Sequence, residues 1–301
     1  MQKQQQVWWK RLLKIIGSSI VVFIGACFVF DQLVQFRMND AELQRFFKAH
    51  HVPAQIHYYQ SGGRTLRYVA VGNDSLPTLF IIHGSPSSLS IYTNYFTDSV
   101  LLKHFKIYAV DRPGYGYSGF GKPEPSIQKQ AAMLRPILDS LNHVRRPVFV
   151  LGGSYGSSIA CRLAMDYPQL VDGLMLVAPS LKPGAEKTFW FTHAIEHPVL
   201  HWFIPRMFQS ANTEKIHHRE GLEAMLPYWK NIHVPVVYIQ GEKDGLVDTT
   251  NAGFARQHLV HAPYLDINFL KGEPHFIAYT AQPMVRTKLL HVLQLVKPLR
   301  R

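Results

Sequence analysis

The stretch Leu151-Gly152-Gly153-Ser154-Tyr155-Gly156-Ser157 constrains this chain more than any other. The apolar run Pro147-Val148-Phe149-Val150 leads into it, and Ser158-Ile159-Ala160-Cys161-Arg162-Leu163-Ala164-Met165 leads out of it as a helix. A buried strand therefore hands over to a helix through one sharp turn. Gly152, Ser154 and Gly156 give that turn the G-x-S-x-G spacing, in which a strained backbone lifts a serine hydroxyl above a sheet edge. Glycine is required where a side chain would collide with the adjoining strand and helix. The helix also points its N-terminus, with its partial positive charge, at the same place, which favours a developing oxyanion. Ser154 is thus the candidate nucleophile. Ordinary strand-to-helix loops also collect small residues, so the other parts of a reactive site must be found elsewhere in the chain.

A serine hydroxyl is a weak nucleophile at neutral pH and needs a base, with a carboxylate to orient that base. The chain holds 16 histidines, so position must select one. His275, in Gly272-Glu273-Pro274-His275-Phe276, follows the last strand candidate, Leu265 to Leu270, and precedes the terminal helix. His258, His261 and His291 lack that placement and read as packing or surface residues. The acid is expected between serine and histidine in chain order. Val236-Val237-Tyr238-Ile239-Gln240-Gly241-Glu242-Lys243-Asp244 supplies Asp244 just beyond a strand end, with Glu242 and Asp248 as rivals. Asp248 precedes Thr249-Thr250-Asn251-Ala252 and reads better as a helix cap. An earlier strand ends in His83-Gly84-Ser85-Pro86-Ser87-Ser88, whose flexible Gly84 lets a backbone N–H face the serine. The Ser85 and Tyr155 amides are the candidate oxyanion hole. His83 is expected to brace its loop, and Asp111 and Arg112, opening Asp111-Arg112-Pro113-Gly114-Tyr115-Gly116-Tyr117-Ser118, to tie loops together through charge-assisted bonds.

Around these residues the chain alternates short apolar runs with helical stretches. Gln55 to Tyr59 and Thr65 to Val71, separated by Ser61-Gly62-Gly63, read as an antiparallel hairpin. Leu79 to Ile82, Lys106 to Val110, Val148 to Leu151, Leu174 to Val177 and Val234 to Ile239 fit strands covered on both faces of a parallel sheet. Between 126 and 141, Ala131, Leu134, Ile137, Leu138 and Leu141 recur at helical spacing. Residues 182–232 are too long for a simple connection. They hold Phe189, Trp190, Phe191, Trp202, Phe203, Phe208, Tyr228 and Trp229, and read as a helical cap over the site. Most of these aromatics are expected to pack the cap onto the core and a few to line a pocket. Glu186, Glu196, Glu214, Glu220 and Glu223 read as exposed partners of nearby basic residues.

His83-Gly84-Ser85-Pro86, Asp111 to Gly116, Gly152 to Gly156, Asp244 and His275 together resemble the α/β-hydrolase superfamily, from about Gln55 to the C-terminus. The resemblance implies the α/β-hydrolase fold: a mostly parallel eight-stranded sheet with helices on both faces, its second strand antiparallel, and a Ser154-Asp244-His275 triad on loops at one edge. Haloalkane dehalogenases and epoxide hydrolases carry Asp where Ser154 stands. The elbow is similar to that of prolyl aminopeptidases, whose Gly-Gly-Pro-Gly loop is replaced here by Gly84-Ser85-Pro86-Ser87. The expected chemistry is acyl transfer from a small-molecule carboxylic ester to water, with no metal or organic cofactor. An amide, peptide or carbon–carbon bond hydrolase, and a silent binding protein on the same fold, stay open.

At 301 residues, 47% hydrophobic and 17% charged, the chain can bury a large core. Lys and Arg outnumber Asp and Glu by 32 to 20, giving +12, with Lys3, Lys10, Arg11 and Lys14 near the start and Lys297, Arg300 and Arg301 at the end. No basic stripe interleaved with stacking aromatics points to nucleic acid, and attraction to an anionic membrane explains the balance more simply. Ile15 to Phe30 carries no charge; extended back to Leu12 it approaches the roughly 20 residues of a membrane span. Basic residues before it and Asp31 after it place the N-terminus in the cytoplasm and the domain outside. A cleaved secretory signal and a lipoprotein modified at Cys27 are the alternatives. Cys27 and Cys161, the two cysteines, form no disulfide framework. The expected division is an anchor over 1–40, a core over 41–181 and 233–301, and the cap between.

Overall fold

The computed structural model describes residues 2–142, 146–187 and 192–296. The chain opens with helix α1, Gln2–Leu33, whose most apolar 18-residue window has a mean hydropathy of 2.3 and no buried residue. It runs one turn past the expected end, taking Asp31 into its last turn. The reason is a partner: Asp31 receives the guanidinium of Arg206 at 2.7 Å and the Arg206 backbone N–H at 2.8 Å. Helix α2, Asp40–Ala49, begins at a reciprocal cap. Asn39 accepts the Glu42 N–H while the Glu42 carboxylate accepts the Asn39 N–H, satisfying two orphan donors at once.

The segment between α1 and α2 is fastened to the body by a buried arginine. Arg67 donates to Asp111 at 2.8 Å, to Asp40 at 2.9 Å and to the Met38 carbonyl at 3.1 Å. Ser88 Oγ donates to the Phe36 carbonyl, and the Met38 N–H donates to Ser90 Oγ.

The body is one eight-stranded sheet. The hairpin expected from sequence is β1, Ala54–Ser61, and β2, Arg64–Val71. Then follow β3, Thr78–Ile82; β4, Lys106–Val110; α3, Ile127–Asn142; β5, Val148–Gly153; α4, Tyr155–Asp166; and β6, Gly173–Val177. After a helical insertion containing α5, Arg206–Glu223, come β7, Val236–Gly241; α6, Thr250–His258; β8, Leu265–Leu270; and α7, Gln282–Val296. The strand order is β1-β2-β4-β3-β5-β6-β7-β8. Only β2 runs against the others. Alternation along the strands sends side chains into two cores. Phe80, Ile82, Val148 and Val150 pack with α3 and α4 residues on one face. Leu79, Ile81, Phe149 and Leu151 pack with α7 residues on the other.

The insertion departs from expectation at Glu186, which is only partly exposed, and at Glu214. Glu214, read as an exposed partner, is fully buried. It takes a two-pronged pair from Arg112, at 2.5 and 3.1 Å, together with Tyr115 Oη at 2.7 Å and Gln130 Nε2 at 2.8 Å. Four donors satisfy both carboxylate oxygens, the condition under which a buried charge is tolerated. Of the insertion aromatics, Trp229 is buried against Phe254, Phe203 lies 37% exposed against Phe23 of α1, and Trp202 is exposed. Phe189, Trp190 and Phe191 lie outside the described residues. Glu214→Ala, which strands the Arg112 charge, is expected to lower the unfolding free energy by about 3–5 kcal/mol. Glu220→Ala, on the exposed face of the same helix, should change it by less than about 0.5 kcal/mol in urea titrations.

Candidate active site

Three parallel strands end at the same edge, and each delivers one expected residue. Ser154 follows β5 directly, with φ 52° and ψ −122°. A non-glycine residue at positive φ stores strain. Here it is held by the Ser154 N–H on the Val177 carbonyl at 2.8 Å and the Ser157 N–H on the Ser154 carbonyl at 3.0 Å. The elbow glycines are needed for space. A Cβ on Gly156 would meet the carbonyl oxygens of Ile82 and His83, and one on Gly152 would meet the backbone of Gly156 and Ser157.

Asp244 lies three residues past β7 and His275 five past β8. Their loops touch: a Cβ on Gly241 would strike the Glu273 and Pro274 carbonyls. His275 Nδ1–H donates to both oxygens of Asp244, at 3.0 and 2.9 Å. That bond fixes the tautomer, leaving Nε2 with its lone pair. Burial pushes the Asp244 pKa up, but the His275 bond and charge, with the Val247 and Leu246 amides, outweigh it and hold the pKa below its ordinary value. The rivals are elsewhere occupied. Glu242 accepts the Gly272 N–H, and Asp248 accepts the Thr250 N–H at the start of α6, where Thr249 is the cap residue itself.

Ser154 and His275 line one cavity of about 590 Å³. Among the described residues no hydrogen bond joins the two side chains directly, a common state for catalytic pairs without substrate. Ser85 and Tyr155 stand in the same wall. The Gly84 position, where a Cβ would come within 3.0 Å of the Ser154 Cβ, shows how closely their loop approaches the elbow. His83 braces that loop as expected. Its Nε2 accepts the Arg112 N–H at 3.0 Å, which leaves Nδ1–H to donate to the Gly84 carbonyl at 2.7 Å. Burial, then the Arg112 charge, pushes its pKa well below the ordinary histidine value.

Phe30, Glu186 and His218 are among the cavity residues that the sequence reading did not place there. Phe30 comes from α1, and Glu186 and His218 come from the insertion. His218 Nε2–H donates to Ser158 Oγ at 3.1 Å, and its ring lies 4.6 Å from that of Tyr155. The available signal was the buried stripe Met207, Ser210, Glu214, His218, Leu222, spaced by three and four along α5. Its polar members hid it from a search for apolar periodicity.

The family model described as the alpha/beta hydrolase fold matches residues 77–198. The chain has the α/β-hydrolase fold. An uncharacterised hydrolase of Saccharomyces cerevisiae is 27% identical over 142 residues, which cover 46% of this chain and 47% of the yeast protein. The chain thus spans about half the length of that curated relative. Among solved structures, one described as a lipase of Acinetobacter baumannii superposes with a TM-score of 0.65 at 19% identity, covering 85% of this chain and 95% of that one. A bacterial membrane phospholipase A superposes with the same TM-score at 16% identity, covering 96% and 99%. These likenesses establish a shared α/β-hydrolase fold.

The buried histidine rings give the stability of this fold a pH dependence. Burial, then the Arg112 charge, lowers the His218 pKa to about 3, whereas an unfolded histidine binds its proton near 6.5. Between about 6.5 and 3 the unfolded chain therefore holds more protons than the folded one, and stability falls as pH falls. Each such ring contributes up to about 1.4 kcal/mol per pH unit in that window. His218→Gln, which keeps a donor for Ser158, is expected to flatten the decline in urea midpoints between pH 7 and pH 5; an unchanged slope would contradict the neutral buried ring.

Proposed function

We propose that this protein is a membrane-anchored serine hydrolase that cleaves a carboxylic ester through an acyl-enzyme on Ser154. The observation that carries this reading is His275, paired with Asp244, in the wall of the cavity that is also lined by the strained Ser154. His275 Nε2 takes the hydroxyl proton as Ser154 Oγ attacks the carbonyl carbon, and the Ser85 and Tyr155 N–H groups receive the oxyanion. Collapse expels the alcohol, which takes the proton back from His275. Water, deprotonated by the same nitrogen, then releases the acid and restores Ser154. Asp244 keeps the ring oriented and stabilises its charged form.

An ester is favoured over an aminoacyl amide by the lining. Phe30, Ile195, Ile204, Pro205, Phe208 and Ala211 suit an uncharged acyl chain. Glu214, a cap carboxylate that could have held a substrate amine, is already fully engaged by Arg112, Tyr115 and Gln130. Because Phe30 belongs to the apolar helix, the acyl end of the cavity adjoins the anchor, which supports esters at or near a membrane. Lys3, Lys10, Arg11 and Lys14, which precede the apolar stretch of α1, support a cytoplasmic N-terminus.

A tagged fluorophosphonate is expected to label the wild type and leave Ser154→Ala unlabelled. The wild type should also turn over p-nitrophenyl esters and not aminoacyl anilides. Equal labelling of the variant, or anilide turnover alone, would overturn the proposal. Carbonate washing should leave the full chain in the membrane pellet and release a chain lacking residues 1–33; release of both would remove the anchor.

A further inference from the structure

Most polar groups in the cavity wall are already spoken for. Asn212 Nδ2 donates to the Thr192 carbonyl, His218 to Ser158, and Lys187 Nζ to the carbonyls of Asp244 and Gly245. Glu186 is different. It lines the cavity with Ser154 and His275, and its Oε1 is shielded from solvent with no hydrogen-bond partner. A buried acceptor left without a donor is costly, and such groups call for an explanation in a ligand or a function. The terminal carboxyl torsion of glutamate is broad, so a small rotation presents either oxygen to the cavity.

From this geometry we infer that Glu186 binds a free hydroxyl on the alcohol portion of the substrate, so that the preferred esters are those of polyols such as glycerol. The inference rests on the ester-hydrolase reading and deepens it. Two observations fix the portion and the chemistry. Glu186 forms a bridge with Val247, whose N–H donates to Asp244 Oδ1, the carboxylate that holds His275. His275 must hand a proton to the departing oxygen, so the alcohol portion lies on the imidazole side of the cavity, where Glu186 stands. A substrate ammonium is disfavoured there because Lys187 and Lys215 line the same wall; a neutral hydroxyl donor is not. Burial raises the Glu186 pKa against the pull of the Glu186 and Gly184 amides, which keeps the group suited to a neutral partner.

The test compares two esters of one acyl chain, octanoyl glycerol and propyl octanoate, with wild type, Glu186→Leu and Glu186→Gln. The wild type is expected to favour the glycerol ester in kcat/KM by roughly ten- to a hundredfold, the range for a hydrogen bond to a buried carboxyl group. Glu186→Leu should abolish that preference while leaving propyl octanoate within about twofold, and Glu186→Gln, which retains a carbonyl acceptor, should restore part of it. Equal losses on both esters, or none on either, would overturn the assignment. Binding of the uncleavable ethers octylglycerol and octyl propyl ether reports on Glu186 whether or not Ser154 is the nucleophile. Unaltered ether discrimination in Glu186→Leu would reject Glu186 alone, whereas lost discrimination without ester turnover by the wild type would reject the hydrolase reading alone.

Discussion

One guanidinium organises the site. Arg112, with no solvent exposure, donates to the carbonyls of His83 and Gly84, to Gln130 of α3 and to Glu214 of the insertion. Its charge also lies over the rings of Tyr115 and Tyr155, at 4.7 and 4.8 Å. A single planar group thus holds the loop that carries Ser85, the residue after Ser154, a helix of the core and the helix over the cavity. Arginine suits this task because its donors form a rigid fork and its weakly hydrated face stacks on aromatics; lysine has neither property.

Asp111, the neighbouring residue, performs the complementary task. Its carboxylate accepts from Arg67 and from the backbone N–H groups of Leu89 and Tyr117. Burial alone raises its pKa and outweighs these partners, so the network must keep every donor in place. Gly116 is part of that fit, since a Cβ there would overlap the Asp111 carboxylate. Two adjacent residues at the end of β4 therefore fasten opposite surroundings: Asp111 the segment leading from α1, through Arg67, and Arg112 the insertion.

The sheet was legible in the sequence because burial on both faces leaves each parallel strand as an uninterrupted apolar run, and the elbow because its glycines are demanded by backbone contacts. Asp244 and His275 could be selected by their place after strand ends, and the structure pairs them. What remained hidden depended on partners distant in the chain. Glu214 looks like any solvent-facing helix glutamate until Arg112, 102 residues earlier, is brought against it. Phe30 reads as one more lipid-facing residue of an apolar helix, and nothing local shows that it borders the cavity. Asp31 similarly reads as the stop after a hydrophobic run, yet its pairing with Arg206 keeps the helix going to Leu33.

These distant contacts meet on α5. Arg206 at its start pairs with Asp31 of α1, Phe208 packs its ring 6.5 Å from that of Phe36, Glu214 grips Arg112, and His218 lies against Tyr155. A helix rises 1.5 Å per residue, so roughly 18 Å of regular backbone separates the contact with α1 from the contact with the elbow. Because α1, the segment after it and the insertion are each tied by ion pairs or stacked rings, the cavity wall is shared by parts of the chain that a division into anchor, core and cap would separate. The candidate site is built from residues of all three.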